Sequence, residues 1–331
     1  MKSLTFQEAV VAGIREEMLR DPQVIHLGLD IGPGFNGAMN STKGLSAEFG
    51  ASRIIDTPIS EGAMVSAGVG AAMTGMRPIV QIMFAEFLSL TLGPLACDGA
   101  TIWYKSAGAA RVPLVVRVLF GSGPHRGHAE DYHSWVASVP GLKLVMPSGP
   151  RDAKGLIKAA IRDDNPVVFF EHMGIYHGSR EPVPDEDVTV PLGVASIKRA
   201  GTDVTLVATA MMVQQSLRAA AALAEQGISV EIIDPRTIVP MDKPTIIESA
   251  ARTGRLVVVS ETWRVGDPLA DLIVSVVESL QDEARPRIAR VSLADVPRVF
   301  AASLERLAVP NVQSIVDAVR RTLAEPRSAC A

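Results

Sequence analysis

Residues 143–171 read KLVMPSGPRDAKGLIKAAIRDDNPVVFFE, and this stretch decides the fold class. Lys143–Met146 and Val167–Glu171 are short apolar runs of the kind that form buried strands. Between them Arg151–Arg162 carries a helical pattern, opening after Ser148-Gly149-Pro150 and stopping before Asp163-Asp164-Asn165-Pro166. A strand, a helix and a second strand in this order make a crossover unit with parallel strands.

The same alternation extends in both directions. Upstream, Thr5-Phe6-Gln7-Glu8 fits a capping box, Val10, Ile14 and Met18 share one helical face, and Pro22 follows the end. Candidate strands follow at Val24–Leu27, Arg53–Ile55, Ile79–Met83 and Pro113–Val118, with helices expected at Gly62–Thr74 and Glu86–Lys105. Downstream, Ser179–Thr189 (SREPVPDEDVT) is polar, acidic and proline-bearing, and reads as an interdomain linker. A second alternation then begins: strands at Val204–Thr209, Ser229–Ile233, Leu256–Ser260 and Arg287–Val291, and helices at Met211–Gln226, Lys243–Arg252, Pro268–Leu280 and Val312–Leu323. The expected architecture is α/β with two doubly wound domains, residues 1–178 and 190–331, joined by residues 179–189.

Composition bounds the function. The 331 residues are 47% hydrophobic and 21% charged, as in a globular protein with about two cores. A formal charge of −4 gives no basic field for nucleic acid or anionic membrane. Cys97 and Cys330 cannot build a disulfide framework and form no C-x-x-C pair. Glu8, Glu16 and Glu17 interrupt the early apolar stretch, so no signal peptide is expected; no apolar run reaches the ~18 residues of a membrane span. A cytoplasmic protein is the expectation.

Three motifs could carry chemistry. Gly32-Pro33-Gly34-Phe35-Asn36-Gly37 matches the dinucleotide pattern G-x-G-x-x-G, with Asp56 ending the next strand. The residues after it, Ala38 to Gly44, lack a helical period, which favours a plain Pro-Gly loop. Asp56-Thr57-Pro58-Ile59-Ser60-Glu61-Gly62 puts a carboxylate at the first turn of a Gly/Ala-rich helix. From residue type alone it reads as a helix N-terminal carboxylate favoured by the helix dipole. The small residues of that helix would let another backbone approach closely, typically across a subunit interface. The loop Gly121–His133 (GSGPHRGHAEDYH) holds His125, His128 and His133 beside Glu130 and Asp131. Spacing alone leaves a metal cluster, a proton-transfer histidine or a polar loop open. His172 and His177 read as structural.

Five separated stretches, in order, resemble one family: DTPISE (Asp56–Glu61), GAAMTGMRP (Gly70–Pro78), PGLKLVMPS (Pro140–Ser148), DAKGLIKAAIRDDNPVVFFE (Asp152–Glu171) and IDPRTIVPMD (Ile233–Asp242). It is the beta subunit of the thiamine-diphosphate-dependent first component of 2-oxo acid dehydrogenase complexes, in the transketolase-like superfamily. The likeness runs from Leu4 to Leu323, and MFAEF, FFEH and TGRLVVV look nearest to the acetoin dehydrogenase branch. The resemblance implies a thiamine-diphosphate pyrimidine-binding domain followed by a transketolase C-terminal-type domain. It implies that Glu61 contacts N1′ of the cofactor's aminopyrimidine, that Phe87 and Ile59 lie against that ring, and that His128 is the active-site histidine. Leu114, Ala160, Asp163 and Asn165 fall where relatives hold a structural monovalent cation, K⁺.

The G-D-G stretch through which such enzymes hold Mg²⁺ and the diphosphate occurs nowhere in this chain. The resemblance therefore implies a separate alpha subunit carrying it, an α₂β₂ heterotetramer, and a lipoyl acyltransferase as acceptor. Two departures fall near the expected substrate side. Leu27-Gly28 is followed by Leu29 where relatives have an acid, with Asp30 kept, and His128 precedes Ala129-Glu130-Asp131-Tyr132 where relatives have Ser-Gln. They motivate a second expectation, a carboligase or acyl transferase with a non-lipoyl acceptor.

Overall fold

The structure is a computed structural model describing residues 1–324; Cys330 and the rest of the stretch after Ala324 lie outside the described residues. Its strands are β1 Lys2–Leu4, β2 Val24–Gly28, β3 Ile54–Asp56, β4 Arg77–Phe84, β5 Val115–Phe120, β6 Lys143–Val145, β7 Val167–His172, β8 Glu181–Val183, β9 Ser196–Arg199, β10 Val204–Ala208, β11 Val230–Asp234, β12 Thr237–Val239, β13 Arg255–Trp263 and β14 Arg287–Leu293. The longer helices are α1 Phe6–Arg20, α2 Glu61–Met73, α3 Pro150–Arg162, α4 Met211–Ala224, α5 Lys243–Thr253, α6 Pro268–Ser279 and α7 Val312–Ala324. The chain divides into two compact units. One holds Met1–Leu192 with Thr237–Pro240, the other Gly193–Arg236 with the residues from Met241 onward.

The first unit is built on a seven-stranded sheet in the order β12-β6-β7-β5-β4-β2-β3, parallel except for β12. The capping box forms as expected: Thr5 accepts from the Glu8 backbone N–H while the Glu8 carboxylate accepts from Thr5 N–H. Val10, Ile14 and Met18 of α1 are fully buried with Leu156, Ile157 and Ile161 of α3 against the sheet. Gly13 sets that helix pair's spacing, since a Cβ there would sit 2.6 Å from Ile157 Cγ2. The second unit carries the sheet β14-β13-β10-β11-β9, antiparallel only at β9, with α4 and α7 burying Val213, Leu223, Ile315 and Val319 over it.

Two expectations need correction. Residues 179–189 do not form a free linker. Glu181–Val183 pairs as β8 with β1, and Asp187 bonds Lys158 Nζ and Arg162 Nη2 of α3 at 2.6 Å each. Those two cations push the Asp187 carboxyl down to about 2. An acidic, proline-bearing run can thus be a covering strand when a basic helix lies beneath it, which composition cannot foresee. The single helix expected over Glu86–Lys105 is three pieces: a 3₁₀ segment Ala85–Leu90, a π-helical turn Gly93–Gly99 and a short helix Ile102–Lys105. Pro94 has no N–H to donate to Leu90 O, and Gly93 precedes it, so a regular helix cannot pass through.

His26 lies on β2, is wholly buried, and neither ring nitrogen finds a hydrogen-bond partner among the described residues. Burial, and secondarily the Arg117 charge, hold its pKa well below the usual 6.5. The folded chain therefore binds fewer protons than the unfolded one as pH drops below 6.5, and stability falls in that direction. We expect a loss of up to about 1.4 kcal/mol per pH unit between pH 6.5 and 5. Urea melts of wild type and His26→Leu across that range check this; equal pH slopes in the two proteins would contradict it.

Candidate active site

Strand order places the site. From β2 the chain moves to β3 on one side, then returns through α2 to β4 on the other side. This reversal opens a crevice at the carboxyl ends of β2 and β4, where open α/β sheets bind ligands. Asp30 and Leu29 leave β2 there, Glu61 opens the helix between β3 and β4, and Glu86 and Phe87 follow the end of β4.

Glu61 is the first residue of α2, after Ser60 as N-cap and Pro58 in the turn. It is only 8% exposed, and no hydrogen bond or ion pair engages its carboxyl among the described residues. The positive end of the helix dipole favours its charge, though by no more than about 1 kcal/mol. Gly62 brings this helix start against the 3₁₀ segment: a Cβ there would lie 2.9 Å from the Leu90 carbonyl oxygen. That carbonyl is the one Pro94 leaves without a helical donor, so the broken helix and the glycine fit each other. Further along α2, Gly68 packs on Val80 and Leu114 of this same chain, whereas Ala63, Ala67, Gly70 and Met73 face outward.

In the loop after β5, His128 Nδ1 bonds Glu86 Oε1. The imidazole stacks on Phe84 with centroids 4.3 Å apart and planes 6° from parallel, and Phe87 meets it at 5.8 Å. Phe87 is partly buried against the core and Ile59 is 75% exposed beside the start of α2. Glu86 was not a sequence candidate; its only signal was its position next to Phe87.

The other histidines separate. His133 Nδ1 bonds Asp131 Oδ1 at 2.5 Å with both side chains buried, bracing the end of the loop. His172 accepts from the Gly174 N–H and packs edge-on against Phe120, a structural role. Among the described residues no three His, Cys, Asp or Glu side chains gather as metal ligands. The G-x-G-x-x-G stretch is a loop followed by a three-residue 3₁₀ turn, and Asp56 Oδ1 accepts the Ile31 N–H there.

A family model described as transketolase, pyrimidine binding domain, matches residues 2–177, and one described as transketolase, C-terminal domain, matches residues 193–315. The 2-oxoisovalerate dehydrogenase subunit beta of Bacillus subtilis is 38% identical over 98% of this chain and 100% of its own length. The chain belongs to the E1 beta-subunit family of 2-oxo acid dehydrogenases. The pyruvate dehydrogenase E1 subunit beta of Rhizobium meliloti is 42% identical over 97% of this chain and 70% of its own length. A solved structure titled split gene transketolase, inactive beta4 tetramer, superposes with a TM-score of 0.78 at 21% identity, covering 97% of this chain and 99% of that one. Like other members of this thiamine-diphosphate-dependent E1 beta family, the chain is a two-domain α/β protein. No helix among its described residues is long and apolar enough to cross a membrane.

In this E1 beta chain Leu114, Ala160, Asp163 and Asn165, the residues expected from the resemblance to hold a monovalent cation, sit where α3 ends and β7 begins. Leu114 O accepts from Val167 N–H at 2.9 Å, Ala160 O from Asp163 N–H at 3.2 Å, and Asp163 O from Arg77 Nη2 at 2.6 Å. Asn165 N–H donates to Asp163 Oδ1, whose other oxygen meets Lys143 Nζ at 2.5 Å. Arg77 and Lys143 thus already bring positive charge there.

Proposed function

We propose that this chain supplies the pyrimidine side of a thiamine-diphosphate site in a 2-oxo acid or acetoin dehydrogenase E1. A separate alpha subunit would supply the diphosphate side with Mg²⁺. The observation that carries this reading is Glu61: a carboxyl nearly out of solvent, at a helix start in the switch-point crevice, with no partner of its own among the described residues. A carboxyl this little exposed and without a protein partner is open to a bound group, and a ring nitrogen able to share a proton would satisfy it. The flanking apolar groups, Phe87 partly buried and Ile59 exposed, suit a planar heteroaromatic ring.

When bound, the cofactor supplies an electron sink for cleaving the C–C bond next to a carbonyl. Glu61 holds a proton at its carboxyl oxygen against the ring, Phe87 and Ile59 orient it, and His128 exchanges protons on the substrate side. An alpha subunit is supported by the missing G-D-G stretch, by the outward small residues of α2, and by exposed Ile59, Met73 and Leu90. A structural K⁺ at Leu114, Ala160, Asp163 and Asn165 belongs to the same reading, supported by the second lone pair each carbonyl keeps.

Leu29, half buried at the end of β2 where relatives carry an acid, favours a second reading with a non-lipoyl acceptor. Co-expression with the alpha chain decides between them. We expect no turnover from the isolated chain and 2-oxo acid-dependent reduction of a lipoylated domain by the complex. Carboligation without lipoyl reduction selects the second reading, and turnover by the isolated chain overturns the split-site proposal.

A further inference from the structure

We propose that Glu86 is a positioning residue for His128, holding Nδ1 so that Nε2 faces the substrate side as a proton acceptor; this rests on the reading of His128 as the proton-transfer group. Glu86 Oε1 is the partner of His128 Nδ1, and Nε2 has no partner among the described residues. A neutral imidazole whose Nδ1–H is given to a carboxylate must carry its lone pair at Nε2. The ring plane is fixed independently by stacking on Phe84, itself buried at the end of β4, and by Phe87. Two aromatic contacts set the plane and one carboxylate sets which edge points out.

Glu86 sits deeper than the ring it orients. It lies in the 3₁₀ segment Ala85–Leu90, directly after β4, and its side chain is 18% exposed against 43% for His128. Its second oxygen, Oε2, is buried and has no hydrogen-bond partner among the described residues. A carboxylate serving stability alone would satisfy both oxygens or stay in water; one kept half-satisfied beneath an exposed imidazole fits an orienting task. The arrangement is the base-plus-orienter logic of nucleophile–histidine–acid sites, in which the acid fixes tautomer and direction without itself exchanging the proton.

Ring-¹⁵N-histidine labelling of the full chain reads the tautomer directly, with His128→Asn assigning the resonance. We expect the Nδ1–H form in wild type, its loss in Glu86→Ala, and its retention in Glu86→Gln, which keeps an acceptor oxygen. In the assembled complex Glu86→Ala should lower kcat on the order of 10–100-fold, with KM changed less than about two-fold and Glu86→Gln restoring most of the loss. Equal thermal midpoints for the variants keep a folding defect out of the comparison. An Nε2–H tautomer in wild type, or a spectrum unmoved by Glu86→Ala, overturns the contact. A shifted tautomer with unchanged kcat overturns its use. His128→Asn with wild-type kcat overturns the reading of His128 itself, and the positioning role falls with it while the spectrum still stands.

Discussion

Glu61→Gln in the assembled complex should lower kcat on the order of 10²–10⁴-fold while leaving the chain folded and the complex formed. The amide keeps the shape of the side chain and the helix start, so the change removes a transferable proton and little else. The lost charge at the α2 N-terminus should cost no more than about 1 kcal/mol of stability. The two effects therefore separate: a large kinetic loss beside a small shift in the unfolding midpoint. Steady-state rates at saturating cofactor, with a cofactor titration and a thermal melt of the same preparations, distinguish them. A Glu61→Gln complex turning over at the wild-type rate would reduce this chain to a scaffold for chemistry done elsewhere.

The largest stability effect is expected at Arg117. This residue on β5 and Glu171 on β7 are each 1% exposed and face one another across neighbouring strands as a two-pronged pair, Nε to Oε1 at 2.6 Å and Nη2 to Oε2 at 2.9 Å. Tyr176 donates to Glu171 Oε2 at 2.9 Å, and Gln81 Oε1 accepts from Arg117 Nη1 at 3.2 Å. Burial, and then the Glu171 charge, push the Tyr176 hydroxyl well above 10, so it stays a donor. Arg117→Met leaves the Glu171 carboxylate buried without its counter-charge, a loss of about 3–5 kcal/mol. For a unit of this size that lowers the melting midpoint by roughly 6–20 °C. Adding Glu171→Leu and Tyr176→Phe should recover most of the loss, because the penalty lies in the orphaned charge, not in missing attraction. A single variant as stable as wild type would show that water reaches the pair.

Local rules made much of the fold legible. The Thr5–Glu8 capping box, the Val10/Ile14/Met18 face and the strand–helix–strand unit over residues 143–171 each specify their own structure from neighbours within a few turns. The misreadings came where a distant partner decided. β8 exists because β1 and the cations of α3 are there to receive it. Thr237–Val239, unassigned in the sequence, became β12 by pairing with β6, over ninety positions earlier in the chain. The broken segment 85–105 did carry its signal in Gly93-Pro94, outweighed by the apolar pattern around it.

The same division runs through the site. Glu61 is marked by its own motif, since a turn, a carboxylate and a glycine-rich helix start are contiguous in the chain. His128 was one of three candidates in a loop, and spacing could not choose among them. The structure separated them: His133 took Asp131, while His128 met Glu86 from forty-two positions away. By itself the sequence determined the alternation, hence the parallel sheet. Only the tertiary structure decided which acid faces which histidine, because the parallel pairing of β4 with β5 brings Glu86, just after β4, to the loop that leaves β5 and carries His128.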